Sequence, residues 1–592
     1  MEKKGYLSII VFLFFLGAAV YFGYSWYKDK TSPNNEVMEL TDYYKVADDK
    51  IMVFENGVQT KEKLPYIDGV VYLHLEMVRK LNSRYYWDKP SKKLIFTTED
   101  DIQIIGIDED FYTSENGFIE DGETDKDGTV VSVGYPILKI IEDNYYIALD
   151  FVKNNINLDY DIFYTPNRIM LRYEWKEYLF VRTTQDTQLR ADGSIKSPIL
   201  KQLPKDTVLE LTDSAGTNRN GFLYAVTPDG IKGYVNEKDI GETYFEQIES
   251  SYTDKPYTHK AFGDKINLVW NITVSKDANS KLKSLMTKAK GVNVVSPTWY
   301  NLKDEEGNIE SRATEAYVNE AHSMGLQVWA LVSNFHPGTG ALQINEETLL
   351  RSREKRAKVI KQLIDEANKY KFDGINIDFE NLTKAEGPHY VQFLRELSVA
   401  CRHENLYFSI DNYVPLGFNT YYDVEEQGKI ADYIIIMAYD EHYEGSAAGS
   451  VASLTYVNTA ITNTTAKVLK SQVVIAMPFY TRIWKITALK DGNSRTYSDA
   501  MSMPEAAKFL KEHKEIEFVK YDEELGQNYY IGESGDISYR VWMEDLTSIE
   551  AKVKTITKAE VAGVAGWRLG QEDSGVWDII EQYLHPAAES AE

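Results

Sequence analysis

An α/β fold, with a (β/α)8 TIM barrel as its largest domain, is predicted by two features of the C-terminal half of this 592-residue chain. Eight short apolar segments that predict buried strands occur between residues 262 and 585. Segments with the periodicity of amphipathic helices lie between most of them, and this alternation is typical of parallel strands joined by helices. The apolar segments are 265–270, 292–297, 327–333, 372–379, 406–411, 432–439, 473–479 and 561–567.

A smaller unit is predicted inside the barrel, because the gap before the eighth apolar segment is much longer than the others. Residues 485–546 contain one helix-like segment, MPEAAKFLKEH, and one hairpin-like segment, NYYIGESGDISYRVW. We therefore expect a barrel over residues 262–585 with an inserted α+β subdomain at about 485–546. Chemistry in such barrels takes place at the carboxyl ends of the strands.

A transmembrane anchor is predicted at residues 6–26, a run of 21 residues without a charge. At about 1.5 Å per residue, a helix of this length spans the hydrocarbon core of about 30 Å. A cleaved signal peptide is the alternative, but its apolar region is usually about 7–15 residues long. Tyr24 and Trp26 at the end of this run and Tyr27 directly after it are typical of an aromatic belt at a membrane interface. Lysines flank both ends and leave the orientation open.

An internal repeat follows the apolar run and predicts a stalk-type α+β domain over residues 38–175. YLHLEMVRK (72–80) is similar to YIALDFVKN (146–154), and residues 82–98 are similar to 157–173. Each copy predicts a strand, a short helix and a two-stranded hairpin. The repeat resembles the small N-terminal domain of copper amine oxidases, and this resemblance implies a spacer without oxidase chemistry.

Residues 176–242 predict a small β-barrel, because short alternating segments are separated by Gly, Asp, Asn and Pro. The closing Gly-Tyr-Val at 233–235 resembles bacterial SH3-like domains, which often hold cell-wall polymers. A spacer and a binding module are both compatible with this segment.

The composition excludes some classes of partner. The net charge of −26 argues against nucleic acid and against docking on anionic lipid head groups, since both need a basic surface. The single cysteine, Cys401, excludes an intramolecular disulfide and is expected to be a small buried side chain.

The segment FDGINIDFEN (372–381) places three polar residues on one face of a predicted strand. Side chains alternate along a strand, so Asn376, Asp378 and Glu380 share the face opposite to the apolar residues. Burying carboxylates is costly unless they serve a function, and a polar column that rises to the mouth of a barrel predicts a site. Repulsion between close carboxylates raises one pKa, as a general acid requires.

These residues and three later motifs resemble glycoside hydrolase family 18, the chitinase-like enzymes. DGINIDFE (373–380) resembles the signature DxxDxDxE, and MAYD (437–440) resembles the motif of the sixth strand. MPFYTRIW (477–484) resembles the seventh-strand motif, and VWMEDLTSIEAKV (541–553) with Trp567 resembles the closing helix and strand. The segment 439–454 is most similar to a bacterial subgroup associated with cell-envelope glycans.

The resemblance implies a substrate-assisted retaining mechanism and a role for each matching residue. Glu380 would be the general acid and base, and Asp378 would orient the N-acetyl group of the substrate. Tyr439 would donate a hydrogen bond to the acetamido oxygen, and Asp440 would bind sugar hydroxyls or the acetamido group. Trp567 would form the floor under the reacting sugar.

Three further residues are assigned to substrate binding: Asn376, Tyr480 and Arg482. Asn376 departs from the family, whose signature has an aspartate there, and an asparagine cannot titrate. Four other tryptophans are equally compatible with packing and with sugar binding, and they are Trp270, Trp299, Trp329 and Trp484.

No metal and no cofactor are expected. A divalent site built from Asp373, Asp378 and Glu380 is disfavoured, because Asp373 has the opposite strand parity. Three histidines show no recurring ligand spacing, and they are His336, His389 and His442.

The sequence therefore predicts a membrane-anchored glycosidase that hydrolyses β-1,4 bonds next to N-acetylglucosamine in peptidoglycan or chitin-like glycans. It predicts a single-pass protein of the cell membrane with the catalytic part outside. The alternative is a catalytically inactive glycan-binding or scaffold protein of the cell envelope. The presence of Glu380 favours the enzyme.

Overall fold

The computed structural model describes residues 3–116, 128–212, 218–253, 255–335, 344–489 and 494–586. The chain divides into two units. The N-terminal unit contains residues 1–83, 107–110 and 134–255, and the C-terminal unit contains residues 84–106, 111–133 and 256–592.

The C-terminal unit contains a closed barrel of eight parallel strands, which confirms the predicted TIM barrel. Each strand pairs with its neighbours along the chain, and the eighth pairs with the first. The strands are β1 (Ile266–Asn271), β2 (Val294–Pro297), β3 (Gln327–Ser333), β4 (Gly374–Asp378), β5 (Tyr407–Tyr413), β6 (Tyr433–Met437), β7 (Val473–Pro478) and β8 (Gly563–Trp567).

Within the described residues, eight labelled helices and the short helix Glu346–Leu350, which precedes the third of them, connect and close the barrel. The labelled helices are α1 (Leu282–Met286), α2 (Glu315–Ser323), α3 (Arg353–Tyr370), α4 (Gly387–His403), α5 (Val424–Ile430), α6 (Leu454–Thr465), α7 (Leu546–Lys558) and α8 (Val576–Leu584). Their apolar faces pack on the outward side chains of the strands in one large core. A second apolar cluster fills the interior of the barrel.

An α+β unit is inserted between β7 and α7 and begins at residue 480, slightly before the predicted start. Its five antiparallel strands lie in the order Ser494–Ser502, Tyr480–Ala488, Ile537–Met543, Gln527–Ser534 and Ile516–Asp522. The helix Met503–Glu512 begins with a capping box between Ser502 and Glu505, which satisfies backbone donors at its start.

A separate five-stranded antiparallel sheet also belongs to the C-terminal unit. Its strands are Tyr85–Asp88, Lys93–Thr97, Ile102–Ile105, Phe111–Glu115 and Thr129–Ser132. Tyr86, Ile95 and Ile102 of this sheet form a buried cluster with Val399 of α4. The sheet is therefore a part of the outer layer of the barrel.

A buried ionic network joins this sheet to α3 and α4. The Arg356 guanidinium donates to both carboxylate oxygens of Glu396, at 3.0 and 2.8 Å, and lies 3.4 Å from Asp88. All three side chains are fully buried. Although burial alone would raise the pKa of Glu396, the guanidiniums of Arg356 and Arg353 hold that pKa below its usual range.

The N-terminal unit contains a seven-stranded sheet with its strands in the order Asp159–Phe163, Arg168–Arg172, Lys50–Glu55, Val58–Ile67, Val70–His74, Asn144–Ala148 and Leu138–Ile141. Short helices lie at Leu40–Tyr44, Leu75–Leu81 and Leu149–Lys153. Both copies of the repeat have a strand, a helix and a hairpin in this order. The hairpin of the first copy, however, belongs to the C-terminal unit. The stalk domain over 38–175 stays a prediction.

The described residues between 177 and 247, which are 177–212 and 218–247, form an antiparallel sheet around its own apolar core in the same unit. Its strands lie in the order Ile199–Leu203, Thr187–Arg190, Lys232–Asn236, Phe222–Val226, Val208–Leu211, Glu177–Arg182 and Tyr244–Gln247, with Asn218–Arg219 beside Phe222–Val226. The likeness to SH3-like domains stays a prediction.

The described chain begins with a long helix, Lys3–Thr31. Its segment Ile9–Thr31 is long and apolar enough to cross a membrane, a test that signal sequences also pass. Membrane anchoring therefore stays a prediction.

Candidate active site

The polar column predicted from FDGINIDFEN lies on β4 and on the residues that follow it. Asn376 is fully buried, and Asp378 is 3% exposed at the last position of the strand. Ile375 and Ile377 point outward into the core between strands and helices. The column therefore faces the interior of the barrel and rises to its carboxyl end, where Glu380 follows.

Glu380 is held at two places. The Tyr413 hydroxyl of β5 donates to its Oε2 at 2.7 Å. Asn334, which follows β3, accepts from the Glu380 backbone N–H at 2.9 Å and donates to its carbonyl oxygen at 2.8 Å. Burial raises the pKa of Glu380, the Tyr413 hydrogen bond opposes this, and the Asp440 carboxylate adds to it. The raised pKa favours the protonated form that a general acid needs.

Asp378 lies deeper than Glu380 and is surrounded by other acidic groups. Burial raises its pKa well above the ordinary value, and the carboxyls of Glu380 and Asp411 contribute in the same direction. Within the described part of the chain, Asp378 Oδ1 is buried and has no hydrogen-bond partner. This oxygen is therefore available to a hydrogen-bond donor on a substrate or on a neighbouring side chain.

Asn376 connects four strands at the bottom of the column. Its Oδ1 accepts from Trp270 Nε1 of β1 at 3.2 Å and from Ser296 Oγ of β2 at 3.0 Å. Its Nδ2 donates to Asp411 Oδ1 of β5 at 2.8 Å. Asn376 lies below Asp378, and its side-chain amide is hydrogen-bonded to these three side chains.

Asp411 is a buried carboxyl of the site that none of the sequence motifs predicted. It is 2% exposed on β5. Burial raises its pKa to about 8, opposed by hydrogen bonds from Asn376 and Trp270. The signal was present, because residue 411 ends the apolar segment 406–411 and polar side chains at the carboxyl ends of barrel strands belong to the site.

Tyr439 and Trp567 bring two aromatic rings to the same place from the ends of β6 and β8. Their ring centroids are 6.5 Å apart with an interplanar angle of 27°. Trp567 also contacts the ring of Trp270 at 5.7 Å. Burial raises the pKa of Tyr439 well above its ordinary value, and the carboxyls of Asp378 and Asp411 add to this. The Tyr439 hydroxyl therefore stays protonated and can donate a hydrogen bond.

Asp440, Tyr480 and Arg482 form a second cluster beside the column. The Tyr480 hydroxyl donates to Asp440 Oδ1 at 2.6 Å, and Arg482 Nη2 donates to the same oxygen at 3.3 Å. Arg482 Nη1 donates to Ser498 Oγ of the inserted unit at 3.2 Å. The Asp440 side chain is 46% exposed, so this cluster lies closer to solvent than the column.

Asn334 and Tyr413 are two more site residues that the sequence motifs did not predict. Tyr413 ends β5 and Asn334 follows β3, so both come from carboxyl ends of barrel strands. Their side chains are neutral, and they contact Glu380 through hydrogen bonds that only the folded structure reveals. Asn334 Nδ2 lies 3.3 Å from Glu346 Oε1, a buried carboxylate of the helix Glu346–Leu350.

The four tryptophans that the sequence left open between packing and sugar binding are all packed inside the C-terminal unit. Trp270, Trp299, Trp329 and Trp484 are between 0 and 1% exposed. Trp299 Nε1 donates to Asn279 Oδ1, and Trp484 Nε1 donates to the Gly449 carbonyl oxygen. Trp567, in contrast with these four, has a ring that is partly exposed at the site.

The residues described by the structure contain no group of three or more His, Cys, Asp or Glu side chains that could hold a metal ion. Asp373 Oδ2 instead accepts from the Val328 backbone N–H at 2.8 Å and is hydrogen-bonded to His322. His389 is hydrogen-bonded to Tyr86, and His442 to the Ala447 carbonyl oxygen. His336 lies outside the described residues.

Comparison with known proteins agrees with this geometry. The family model of Glycosyl hydrolases family 18 matches residues 339–572. The uncharacterized glycosylase YvbX of Bacillus subtilis strain 168 is 24% identical over 288 residues, which are 47% of this chain and 81% of the relative. The cortical fragment-lytic enzyme of the same organism is 25% identical over 259 residues, 42% of this chain and 57% of the relative.

Among solved structures, a chitinase from Chromobacterium violaceum is 19% identical and covers 55% of this chain and 100% of its own, with a TM-score of 0.48. The match to the family model falls on the barrel and includes β4 to β8 with the polar column. The C-terminal part of this chain is therefore a glycoside hydrolase family 18 domain, and the chain is a glycoside hydrolase.

Proposed function

We propose that this protein hydrolyses β-1,4 bonds next to N-acetylglucosamine in an envelope polysaccharide by substrate-assisted retaining catalysis. One observation carries the proposal: Glu380, Asp378, Tyr439 and Trp567 all lie at the carboxyl ends of barrel strands β4, β6 and β8. The same end of the barrel can therefore supply an acid, an orienting carboxylate and an aromatic surface to one sugar.

Glu380 acts first as the general acid. Its raised pKa favours the protonated carboxyl, which donates its proton to the glycosidic oxygen as the bond to the anomeric carbon breaks. The acetamido oxygen of the substrate then bonds to the anomeric carbon and gives an oxazolinium intermediate. Glu380, now ionised, removes a proton from the water that opens this ring, and the configuration is retained.

Asp378 and Tyr439 hold the acetamido group during these steps. Asp378 Oδ1, which is without a partner in the described residues, accepts from the acetamido N–H and stabilises the positive charge that develops on the ring. The protonated Tyr439 hydroxyl donates to the acetamido oxygen and holds it for attack. Trp567 supports the sugar ring from below, since apolar sugar faces pack on indole.

Asp440, Tyr480 and Arg482 bind hydroxyl groups of the sugar. Tyr480 and Arg482 hold Asp440 Oδ1, and the Asp440 side chain is exposed enough to reach a sugar hydroxyl. Asn376 holds the side chains at the bottom of the column in place. In this structure its amide is hydrogen-bonded to Trp270, Ser296 and Asp411 and lies below the mouth of the barrel.

Peptidoglycan is the polymer that the observations favour. A relative whose name is cortical fragment-lytic enzyme is similar to this chain over 259 residues, and that name describes the lysis of cortical fragments. The apolar N-terminal helix suits a membrane anchor that keeps the barrel at the cell surface. We therefore propose a single-pass membrane protein whose barrel acts outside the membrane.

The test uses the full chain in detergent beside its Glu380→Gln variant. Glu425→Gln on α5 is the matched control, because its side chain is 61% exposed on the outer surface of the barrel. Each protein is incubated with purified peptidoglycan and with N-acetylglucosamine oligomers, and products are identified by mass spectrometry.

We expect new N-acetylglucosamine reducing ends from the wild type and from Glu425→Gln, and none from Glu380→Gln. Products from Glu380→Gln at the wild-type rate would contradict the role of Glu380. If no protein releases products while all of them sediment with peptidoglycan, the catalytic proposal fails and a glycan-binding scaffold takes its place.

A further inference from the structure

The segment that carries Glu380 belongs to neither a strand nor a helix. The pairing of β4 with β3 ends at Asp378, opposite Ser333, and its pairing with β5 ends at Ile377. Glu380 therefore lies beyond the hydrogen-bonded ladder on both sides. A main-chain N–H or C=O that is shielded from water is costly without a partner, so this segment needs hydrogen bonds from side chains.

Two tyrosines supply part of these hydrogen bonds, and each hydroxyl both accepts and donates. The Tyr413 hydroxyl accepts from the Asn381 backbone N–H at 3.3 Å and donates to Glu380 Oε2 at 2.7 Å. The Tyr422 hydroxyl accepts from the Leu382 backbone N–H at 3.2 Å. The tyrosines therefore hold the Glu380 carboxyl and the residues that follow it, and they leave the main chain of Glu380 itself to another group.

Asn334 holds both main-chain groups of Glu380. It follows β3 directly and is 1% exposed. Its Oδ1 accepts from the Glu380 backbone N–H at 2.9 Å, and its Nδ2 donates to the Glu380 carbonyl oxygen at 2.8 Å. A side-chain amide offers the same kinds of donor and acceptor as a peptide unit. Asn334 therefore extends the hydrogen bonding of β3 to a residue that lies beyond the end of the ladder.

The orientation of the Asn334 amide is fixed by its partners. The Glu380 backbone N–H can only donate, so it requires Oδ1 of Asn334. The second hydrogen of Nδ2 faces Glu346 Oε1 at 3.3 Å, and Glu346 is 5% exposed. A rotated amide would place its nitrogen against the N–H of Glu380 and its oxygen against the carbonyl oxygen of Glu380. One orientation therefore satisfies all three contacts.

We propose that Asn334 is a positioning residue, which fixes the main chain of Glu380 so that the Glu380 carboxyl meets the glycosidic oxygen. This role rests on the proposed function, in which Glu380 is the general acid. Proton transfer requires a distance of about 2.6–3.2 Å between the two heavy atoms, and any shift of the main chain moves the carboxyl with it. Asn334 itself gives up no proton and acts through Glu380.

A comparison of two leaving groups separates positioning from a general loss of folded protein. The sugar hydroxyl that leaves an N-acetylglucosamine oligomer needs protonation, whereas the nitrophenolate that leaves a 4-nitrophenyl N-acetylglucosaminide oligomer is a stable anion and needs little. For Asn334→Ala, as full chain in detergent, we expect kcat on the oligomer to fall by about 10²-fold with KM unchanged. We expect a much smaller loss on the 4-nitrophenyl substrate, and the same contrast for Glu380→Gln.

Asn279→Ala is the matched control. Asn279 is 4% exposed, its Oδ1 accepts from Trp299 Nε1 at 2.8 Å, and its Nδ2 donates to the Arg312 carbonyl oxygen at 2.8 Å. The variant therefore loses one accepted and one donated hydrogen bond of a buried amide in the same unit, but these partners belong to the outer layer of the barrel. We expect the ratio of the two kcat values to equal that of the wild type.

Amide hydrogen exchange measures the contact without any need for activity. The Glu380 N–H is bonded to the Asn334 side chain, so its exchange should become about tenfold faster in Asn334→Ala, while β3, β4 and β5 exchange as in the wild type. Asn334→Ser is measured beside it, because its hydroxyl leaves a smaller space if Asn334→Ala does not fold. Asn279→Ala should leave the exchange of Glu380 unchanged.

Equal losses of kcat on the two substrates overturn the proposal, because they report a smaller amount of active protein and no change in the acid. A wild-type rate on the oligomer in both Asn334 variants overturns it as well. If the wild type cleaves neither substrate, the proposed function fails, while the exchange of Glu380 still decides whether Asn334 holds its main chain.

Discussion

At the residue scale, the environment of Glu380, the proposed acid, is set largely by neutral side chains that contact it. Glu380 and Asp378 were predictable, because side chains alternate along a strand and the sequence places both residues on the same face. Tyr413, Asn334 and Asp411 come from β5 and from the end of β3, and each contacts β4 only after the barrel closes. The register of the sheet decides which residues lie side by side on neighbouring strands. It depends on the whole sheet and cannot be read from the spacing of residues within one segment.

Tyr413→Phe tests how the acid is tuned. The Tyr413 hydroxyl donates to Glu380 Oε2 and lowers its pKa, so removal of this donor should raise the pKa of Glu380. A hydrogen bond to a charged group contributes about 1.5–3 kcal/mol, which corresponds to about one to two pH units. We expect the alkaline limb of kcat/KM to move upward by about this amount on N-acetylglucosamine oligomers.

Tyr421→Phe is the control for this variant, because its ring packs on Tyr422 and its hydroxyl makes no contact with Glu380 in the described structure. An alkaline limb of Tyr413→Phe that coincides with that of the control would show that the hydroxyl does not tune Glu380.

At the scale of elements, the order of strands and helices in the barrel was predictable, and the partners of some elements were not. Eight apolar segments became β1 to β8 because buried parallel strands are apolar on both faces. The hairpin within residues 82–98 has the pattern of a repeat, yet its strands join a sheet that packs on α3 and α4. These contacts combine an apolar cluster with a buried ionic network, and amphipathic patterns carry no information about the ionic part.

Arg356→Met tests the contribution of that packing to stability. Arg356 is fully buried between Glu396 and Asp88. When its guanidinium is removed, the cation that remains beside these carboxylates within the described residues is Arg353, at 3.6 Å from Glu396. Breaking a buried ion pair on one side costs about 3–5 kcal/mol. We expect a loss of this size in the free energy of unfolding of the C-terminal unit, measured by denaturant titration.

The control is Lys361→Met on the same helix, which removes a cation from an ion pair with Asp365 on the solvent side. We expect a much smaller change there, because exposed ion pairs contribute little. Equal losses for the two variants would mean that the buried network does not hold the sheet against the barrel.

At the scale of the whole molecule, the active site makes stability depend on pH. Burial holds the pKa of Asp411 at about 8, well above its value of about 3.9 in an unfolded chain. The folded state therefore binds more protons than the unfolded state between these two values, and stability falls as the pH rises through this window. The cost is about 1.4 kcal/mol per pH unit for each proton retained. Burial of Asp411 in the site therefore lowers the free energy of unfolding of the barrel at neutral pH.

Asp411→Asn should remove the part of this dependence that Asp411 contributes. His259 and His389 titrate below neutrality and act in the opposite direction, because burial lowers their pKa values, but both are present in wild type and variant. The difference in unfolding free energy between variant and wild type should therefore move in favour of the variant by about 1.4 kcal/mol per unit from pH 5 to pH 8. Denaturant titrations at pH 5, 6, 7 and 8 measure this difference, with Ser409→Ala expected to follow the wild type. Parallel curves for Asp411→Asn and the wild type would show that Asp411 is ionised throughout the window and that its burial does not raise its pKa.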